Sequence, residues 1–213
     1  MILTHHGNNR PKQEVVIIGG RAYKTVTVGT RVWLAENLQL SWSGLDVSTP
    51  QTPITGLPTD PTAWFYDDDE STYSLDGSKP CGMLYNGYAR QYLVDHAADL
   101  LPTGWRLPTS SDWSYLQGAV SGDGNDLKVL DGAFGGVWPS GWNGTDVVKF
   151  GLVPAGTHVS SGFAGLDSGA SFHLNYQYGG NYTYGNIASN GTMNVYSSTN
   201  EGVGRPIRLV RDA

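Results

Sequence analysis

Pro102-Thr103-Gly104-Trp105-Arg106-Leu107-Pro108-Thr109-Ser110-Ser111-Asp112-Trp113 is the stretch that decides how this chain is organised. Gly104 marks a tight turn, and the Trp105 indole is expected to be buried between that turn and a helix start, anchoring the fold. The first N–H groups of a helix have no partner inside it. Thr109 stands where an N-cap oxygen is needed, with Asp112 three residues on and Pro108 just before, so a helix is expected over Thr109 to Val120. Trp113 and Leu116 then recur at helical spacing.

Working outward, Met83 to Leu100 reads as a second helix. Leu84, Tyr88, Tyr92 and, one position early, Val94 fall near one face, although Gly87 weakens the pattern. Val15 to Ile18 and Ala22 to Val28 read as two strands around a tight Gly19-Gly20 turn. Trp33 to Leu40 is an extended or short helical piece. Residues 43–62, rich in Ser, Thr and Pro, read as a surface excursion that the acidic run Asp67 to Glu70 continues. Residues 1–14 read as a polar tail or attachment arm, and 15–213 as one domain.

The last third changes character. From Gly151 to Gly204 there is no Lys, Arg or Trp, and Asp167 and Glu201 carry the only charges. Period-2 alternation persists, with Phe172, Leu174, Tyr176 and Tyr178 set against Ser171, His173, Asn175 and Gln177. Met193 and Val195 alternate with Thr192, Asn194 and Tyr196. Arg205 to Arg211 closes the chain as an apolar strand with basic outer positions. The expectation is a small sheet with one apolar face and one face of Tyr, Asn and Ser.

Composition narrows the function. The 213 residues carry a formal charge of -6 and only 15% charged side chains, but 29 Gly, 12 Tyr and 7 Trp. That suits one loop-rich domain of many short strands rather than a disordered or helix-dominated chain. No basic stripe is present to neutralise phosphates, so nucleic acid is not an expected partner. No apolar run approaches the roughly 20 residues that cross a bilayer, so membrane insertion is not expected. Cys81 alone excludes an internal disulfide and any Cys-only metal site. Met1 to His6 lacks the basic-then-apolar pattern of a secretory leader, so an outside location would be reached by lysis or by display on a virion.

The leading candidate site is the outward face and loops of residues 171–200, within a ligand-binding or variable region of about 158–200: His173, Asn175, Gln177, Tyr178, Asn181, Tyr182, Tyr184, Asn186, Asn190, Asn194, Tyr196 and Ser198. Tyr gives large contact area at little rotamer entropy, and Asn and Ser give adaptable hydrogen bonds, as in an antibody paratope. Tyr182 and Tyr184 are the two central tyrosines of that reading. Asp67 to Glu70 and Gly122 to Asp126 lack EF-hand spacing and read as solvated loops. His96 with Asp95 or Asp99 reads as a polar helix face. His5-His6 would bind metal only adventitiously, and Asn143, Asn181 and Asn190 head sequons. No nucleophile elbow, zinc-helix motif or phosphate loop occurs, so neither catalysis nor a cofactor or metal is expected. Arg208 and Arg211 are expected to clamp the closing strand, with a rim around the site as the alternative.

Several stretches together resemble the Fibrobacter succinogenes major paralogous domain family. They are Thr25-Val26-Thr27-Val28-Gly29-Thr30 with Trp33-Leu34-Ala35-Glu36-Asn37-Leu38, then Gly82 with Leu84-Tyr85, and Pro102 to Thr109 with Asp112-Trp113. Gly151 with Pro154-Ala155-Gly156 and terminal Ile207 to Asp212 complete a span of 17–212. The resemblance implies an α+β, C-type-lectin-like fold related to formylglycine-generating enzymes: two helices, a small twisted, mostly antiparallel sheet and long loops. The chain departs from the family at Phe172-His173-Leu174-Asn175-Tyr176, where an aromatic-Trp-Ser-Ser-Thr motif is usual. The cysteine pair of the formylglycine-generating relatives is missing, as are the Glu-Pro-Asn and Trp-Asn-Asp motifs of calcium-dependent lectins. Proteins of this kind are often variable targets of diversity-generating retroelements, and from His158 to Asn200 only Gln177 and Met193 lie outside what adenine randomisation of AAC codons can reach. The resemblance therefore implies a non-catalytic, phage- or surface-displayed binding protein whose partner is a host-cell surface protein or glycan, and it admits a homotrimer. A structural virion or cell-surface component with no soluble ligand is the alternative.

Overall fold

Gly19 and Gly20 both adopt positive φ, 57° and 81°, which a Cβ would strain and which a two-residue hairpin turn demands. They join the first two strands in a computed structural model that describes residues 14–49, 52–69, 81–129, 144–166 and 168–213. The strands of the first half are β1 (Glu14–Ile18), β2 (Arg21–Val28), β3 (Arg31–Leu34), β4 (Asp46–Ser48), β5 (Thr62–Trp64) and β6 (Leu84–Tyr85). Helices α1 (Gly87–Asp95), α2 (Ala97–Leu100) and α3 (Ser110–Ala119) follow. The second half adds β7 (Thr157–Val159), β8 (Gly162–Ala164), β9 (Gly169–Tyr178), β10 (Asn181–Ala188), β11 (Met193–Ser198), β12 (Arg205–Pro206) and β13 (Val210–Asp212).

These strands form sheets ordered β1-β2-β3-β13, β11-β10-β9, β12-β6-β5-β4 and β7-β8, antiparallel except for β4 with β5. Strand makes up 38% and helix 17% of the structure. The expected α+β, C-type-lectin-like architecture of two helices on one small sheet is therefore corrected to a mostly-β domain of several small sheets with three short helices. The segment Met83 to Leu100 shows why. Leu84 and Tyr85 pair with β5 and β12 as strand β6. The Asn86 carboxamide then caps α1, accepting the Ala89 N–H at 2.8 Å, so the helix starts four residues later than expected. The excursion over 43–62 is also less external than expected, because Leu45, Ser48 and Thr62 are buried and β4 joins a sheet. Of the expected tail only Glu14 is described. Glu70, Asn143 and Asp167 likewise lie outside the described residues.

The side-chain alternation of β3 divides the interior. Trp33 packs with Trp113, Phe150, Phe172 and Val210 on one side. Leu34 packs with Tyr23, Tyr85, Trp105 and Leu209 on the other. Helix α3 opens with the expected capping box: Thr109 Oγ1 accepts the Asp112 N–H, and the Asp112 carboxylate accepts the Thr109 N–H at 2.8 Å. The same buried carboxylate also accepts Arg31 Nε at 2.6 Å and both terminal nitrogens of Arg106. Burial alone would raise its pKa. Arg106, Thr109 and Arg31 overcome that and hold the group well below the usual carboxylate range. Asp112 thereby ties β3 and the 104–109 turn to α3. Trp113, one residue on, lies directly against Gly185 in the middle of β10, where a Cβ would stand 2.1 Å from the indole. The helix and the last large sheet are thus fixed to each other at one glycine.

Candidate functional site

The β9–β10 hairpin is not regular. Gln177 pairs with Tyr182 and Leu174 with Thr183, so Asn175 and Tyr176 have no partners across the strand and form a bulge. The bulge is pinned from three sides. The Leu174 carbonyl accepts Arg90 Nη2 at 2.7 Å, the Asn175 N–H donates to the Pro108 carbonyl at 2.7 Å, and Thr183 Oγ1 donates to the Tyr176 carbonyl at 2.8 Å. Up to Leu174 the alternation holds, with Phe172 and Leu174 buried against Trp113 and its neighbours. Beyond it the hairpin projects, and Asn175, Tyr176, Gln177 and Tyr178 are all exposed. Tyr176, expected on the apolar face, is instead a surface residue.

The outer face follows from the register. Tyr184 lies between His173 and Tyr196, and Asn186 lies between Ser171 and Asn194. The Tyr184 and Tyr196 rings are 5.8 Å apart and tilted by 38°. Two expected members are corrected. His173 is fully buried, its Nε2 donating to the Tyr85 carbonyl at 2.7 Å. Burial first, then the nearby charges of Arg205 and Arg90, push its pKa down to about 3, so the ring is neutral at pH 7. Tyr182 is buried as well, its hydroxyl donating to the Asn200 carbonyl at 2.5 Å. The cause is shared: β6 and β12 cross this end of the face, and period-2 alternation carries no record of a covering element. The pairing of Tyr182 with Tyr184 as twin contact residues is corrected accordingly, since Tyr182 belongs to the core.

The other ten residues keep some exposure but occupy three places. Asn175, Gln177, Tyr178 and Asn181 form the hairpin tip. Tyr184, Asn186, Asn194, Tyr196 and Ser198 form the open part of the face. Asn190 sits in the turn at the far end of β10, where it borders a shallow polar cleft of about 410 Å³ with Ser121, Asp123 and Asn125. Tip and face meet, because Ser198 pairs with Tyr182 beside the tip. Of the eight large apolar or aromatic side chains exposed among the described residues, four lie on this sheet: Tyr176, Tyr178, Val195 and Tyr196.

Sequence reasoning missed one residue here. Arg205 on β12 lies over the Tyr184 ring at 3.8 Å and donates through Nη1 to the Tyr182 hydroxyl at 3.3 Å. A signal was present, since Arg205 is the first basic residue after Lys149. Arg208 clamps the closing strand as expected. It is buried, with Nε donating to Asn37 Oδ1, Nη1 to the Phe150 carbonyl and Nη2 to the Gly151 carbonyl. Arg211 is half-buried, with its guanidinium over the Trp105 ring at 5.8 Å from the ring centre.

The alternative chemistries find their partners locally. Asp123 accepts the Asn125 N–H, Asn125 Oδ1 accepts Lys128 Nζ at 2.7 Å, and Asp126 accepts the Thr145 hydroxyl at 2.7 Å. Among the described residues no three His, Cys, Asp or Glu side chains gather to hold a metal. His96 stacks on Tyr92 and lies 3.9 Å from Asp99 at the helix surface. Cys81 is buried in the core with Trp33. No helix of the described residues is long and apolar enough to cross a membrane.

Fold and face together define a class: a small-sheet, mostly-β domain whose last strands present an almost uncharged surface of Tyr, Asn and Ser. The chain belongs to the Fibrobacter succinogenes major domain family, whose model matches residues 26–211. Neither the curated proteins nor the solved structures contain a match.

Proposed function

We propose that this protein is a non-catalytic ligand- or receptor-binding protein, displayed on a phage or cell surface, that engages a host-cell surface protein or glycan through the β9–β11 face and hairpin tip. The observation that supports this most is the concentration of exposed Tyr176 and Tyr178 at the hairpin tip and exposed Tyr196 on the outer face, with almost no charge around them. Tyr side chains bury large areas on contact while losing few rotamers, and the neighbouring Asn and Ser adapt their hydrogen bonds to the partner. The sheet beneath is held rigid by Trp113 against Gly185 and by Arg90 on Leu174, which keeps the contact residues in place. A retroelement acting on the codons for 158–200 would vary this surface without touching the rest of the chain.

Two measurements test the reading. Sequencing the gene across a host population is expected to find amino-acid changes at exposed positions such as Asn175, Tyr178, Asn194 and Tyr196, and none at buried Phe172, His173, Leu174, Tyr182 or Ile187. Evenly spread, mostly silent differences would remove the diversification. Screening wild-type protein on glycan and cell-surface protein arrays, beside the triple variant Tyr178→Ala, Tyr184→Ala, Tyr196→Ala, is expected to show at least tenfold weaker binding by the variant. Equal binding would sink the site assignment.

A structural role in a virion or cell surface is the second reading. It is favoured by edge strand β1, where Val15 and Ile17 are both more than half exposed. It calls for oligomers that persist on dilution and fall apart when both residues are replaced by Lys.

A further inference from the structure

The outer face of β9–β11 is covered at one end and open at the other, and Arg205 sits at the boundary. Arg205 is 9% exposed, and among the described residues its Nε is enclosed without a hydrogen-bond partner and its guanidinium makes only the hydrogen bond to Tyr182. No carboxylate of the described residues stands within ion-pair distance of it. The other buried guanidiniums are treated differently. Arg208 directs Nε, Nη1 and Nη2 to separate oxygens. Arg90 gives Nε and Nη2 to the Leu174 carbonyl and Nη1 to Gln91, with the Glu201 charge nearby in its favour. His173, between Arg90 and Arg205, is neutral and contributes no compensating charge. A buried cation left with an unmatched donor is costly unless a partner arrives.

We infer that Arg205 receives a carboxylate of the ligand, with the ligand's flat or apolar remainder lying on Tyr184 and Tyr196. The inference rests on the reading of this face as a binding surface. Charge count selects the anion. One guanidinium matches one carboxylate in a forked, charge-assisted hydrogen bond, whereas a phosphate dianion would bring a second charge that this single guanidinium does not match. Tyr184, already stacked on Arg205, continues into the Tyr196 ring and supplies the floor for the rest of the ligand.

Sodium benzoate and its neutral counterpart benzamide are the probes, titrated into the full-length ¹⁵N-labelled protein. Benzoate is expected to shift the Arg205 Nε–H resonance and the Tyr184 and Tyr196 signals, with a Kd at least tenfold below that of benzamide. Arg205→Gln should erase this preference while leaving a dispersed amide spectrum. Equal affinities, no benzoate shift at Arg205, or a preference that survives Arg205→Gln would each overturn the inference. The wild-type comparison of the two probes decides the matter even if the variant fails to fold. Loss of array binding in the triple tyrosine variant, with benzoate and benzamide alike, would keep the face and discard the carboxylate. A benzoate preference with array binding untouched by that variant would do the reverse.

Discussion

Asp112 and Arg205 are both buried charges, and their surroundings differ in completeness. Around Asp112, two arginines and the Thr109 N–H converge on one carboxylate, and burial strengthens every one of those contacts. Around Arg205, one hydrogen bond and one aromatic ring are all that meet the guanidinium among the described residues, and Nε has no hydrogen-bond partner there. The first region is closed on itself and can only hold the fold together. The second keeps unmatched donor capacity beside the half-buried Tyr184, and the proposed ligand carboxylate would use it.

The comparison can be broken in several ways. Tyr182→Ala is expected to have the largest effect, about 4 kcal/mol of lost stability, because it leaves a cavity in the core and removes the hydroxyl that Arg205 Nη1 donates to. Chemical denaturation measures it, and a loss below about 1 kcal/mol would return Tyr182 to the surface site. Asp112→Ala should cost about 3 kcal/mol by the same method, since Arg31 and Arg106 lose their common partner, with some relief because both arginines reach solvent.

Acid should reveal the neutral histidine. Below about pH 6.5 the unfolded chain takes up a proton on residue 173 that the folded chain refuses down to about pH 3. Stability therefore falls with pH by roughly 1.4 kcal/mol per unit across that window. His158, whose pKa burial also lowers, acts in the same direction. Below about pH 4 Asp112 adds to the loss, because its unfolded carboxyl protonates while the folded one stays ionised. Urea unfolding between pH 7 and 5 should show the slope, and His173→Gln should flatten it; an unchanged slope would mean that the buried imidazole is not its source. Smallest of all, Tyr178→Ala and Tyr196→Ala should each change stability by less than about 0.5 kcal/mol. A larger loss in thermal melts would make those tyrosines part of the scaffold and weaken the contrast between the two regions.

Much of the scaffold was legible because its signals are local. Thr109 with Asp112 announces a capped helix through a spacing of three, and Gly19-Gly20 between Val/Ile-rich runs announces a hairpin. Family membership was legible for the same reason, from contiguous words such as Trp33 to Leu38 and Gly104 to Thr109. The candidate face was legible as a composition, through the missing charges between Gly151 and Gly204. Its individual residues were less so. His173 and Tyr182 sit at outward positions of their strands and are buried only because β6 and β12 come from 88 and 23 positions away to cover them. Tyr176 fits the apolar alternation and is exposed only because the bulge at Asn175 turns the strand outward.

Sequence by itself determined the short-range elements of this protein: where α3 starts, where the first hairpin turns, and that the last third is poor in charge and rich in Tyr, Asn and Ser. Each depends on groups within a few residues of one another. Tertiary structure alone decided the balance of strand over helix, which tyrosines reach solvent, and the position of Arg205 beside Tyr184. Those outcomes depend on which distant strand lies across a face, because a side chain's exposure and the partners of a charge are set by whatever packs over them.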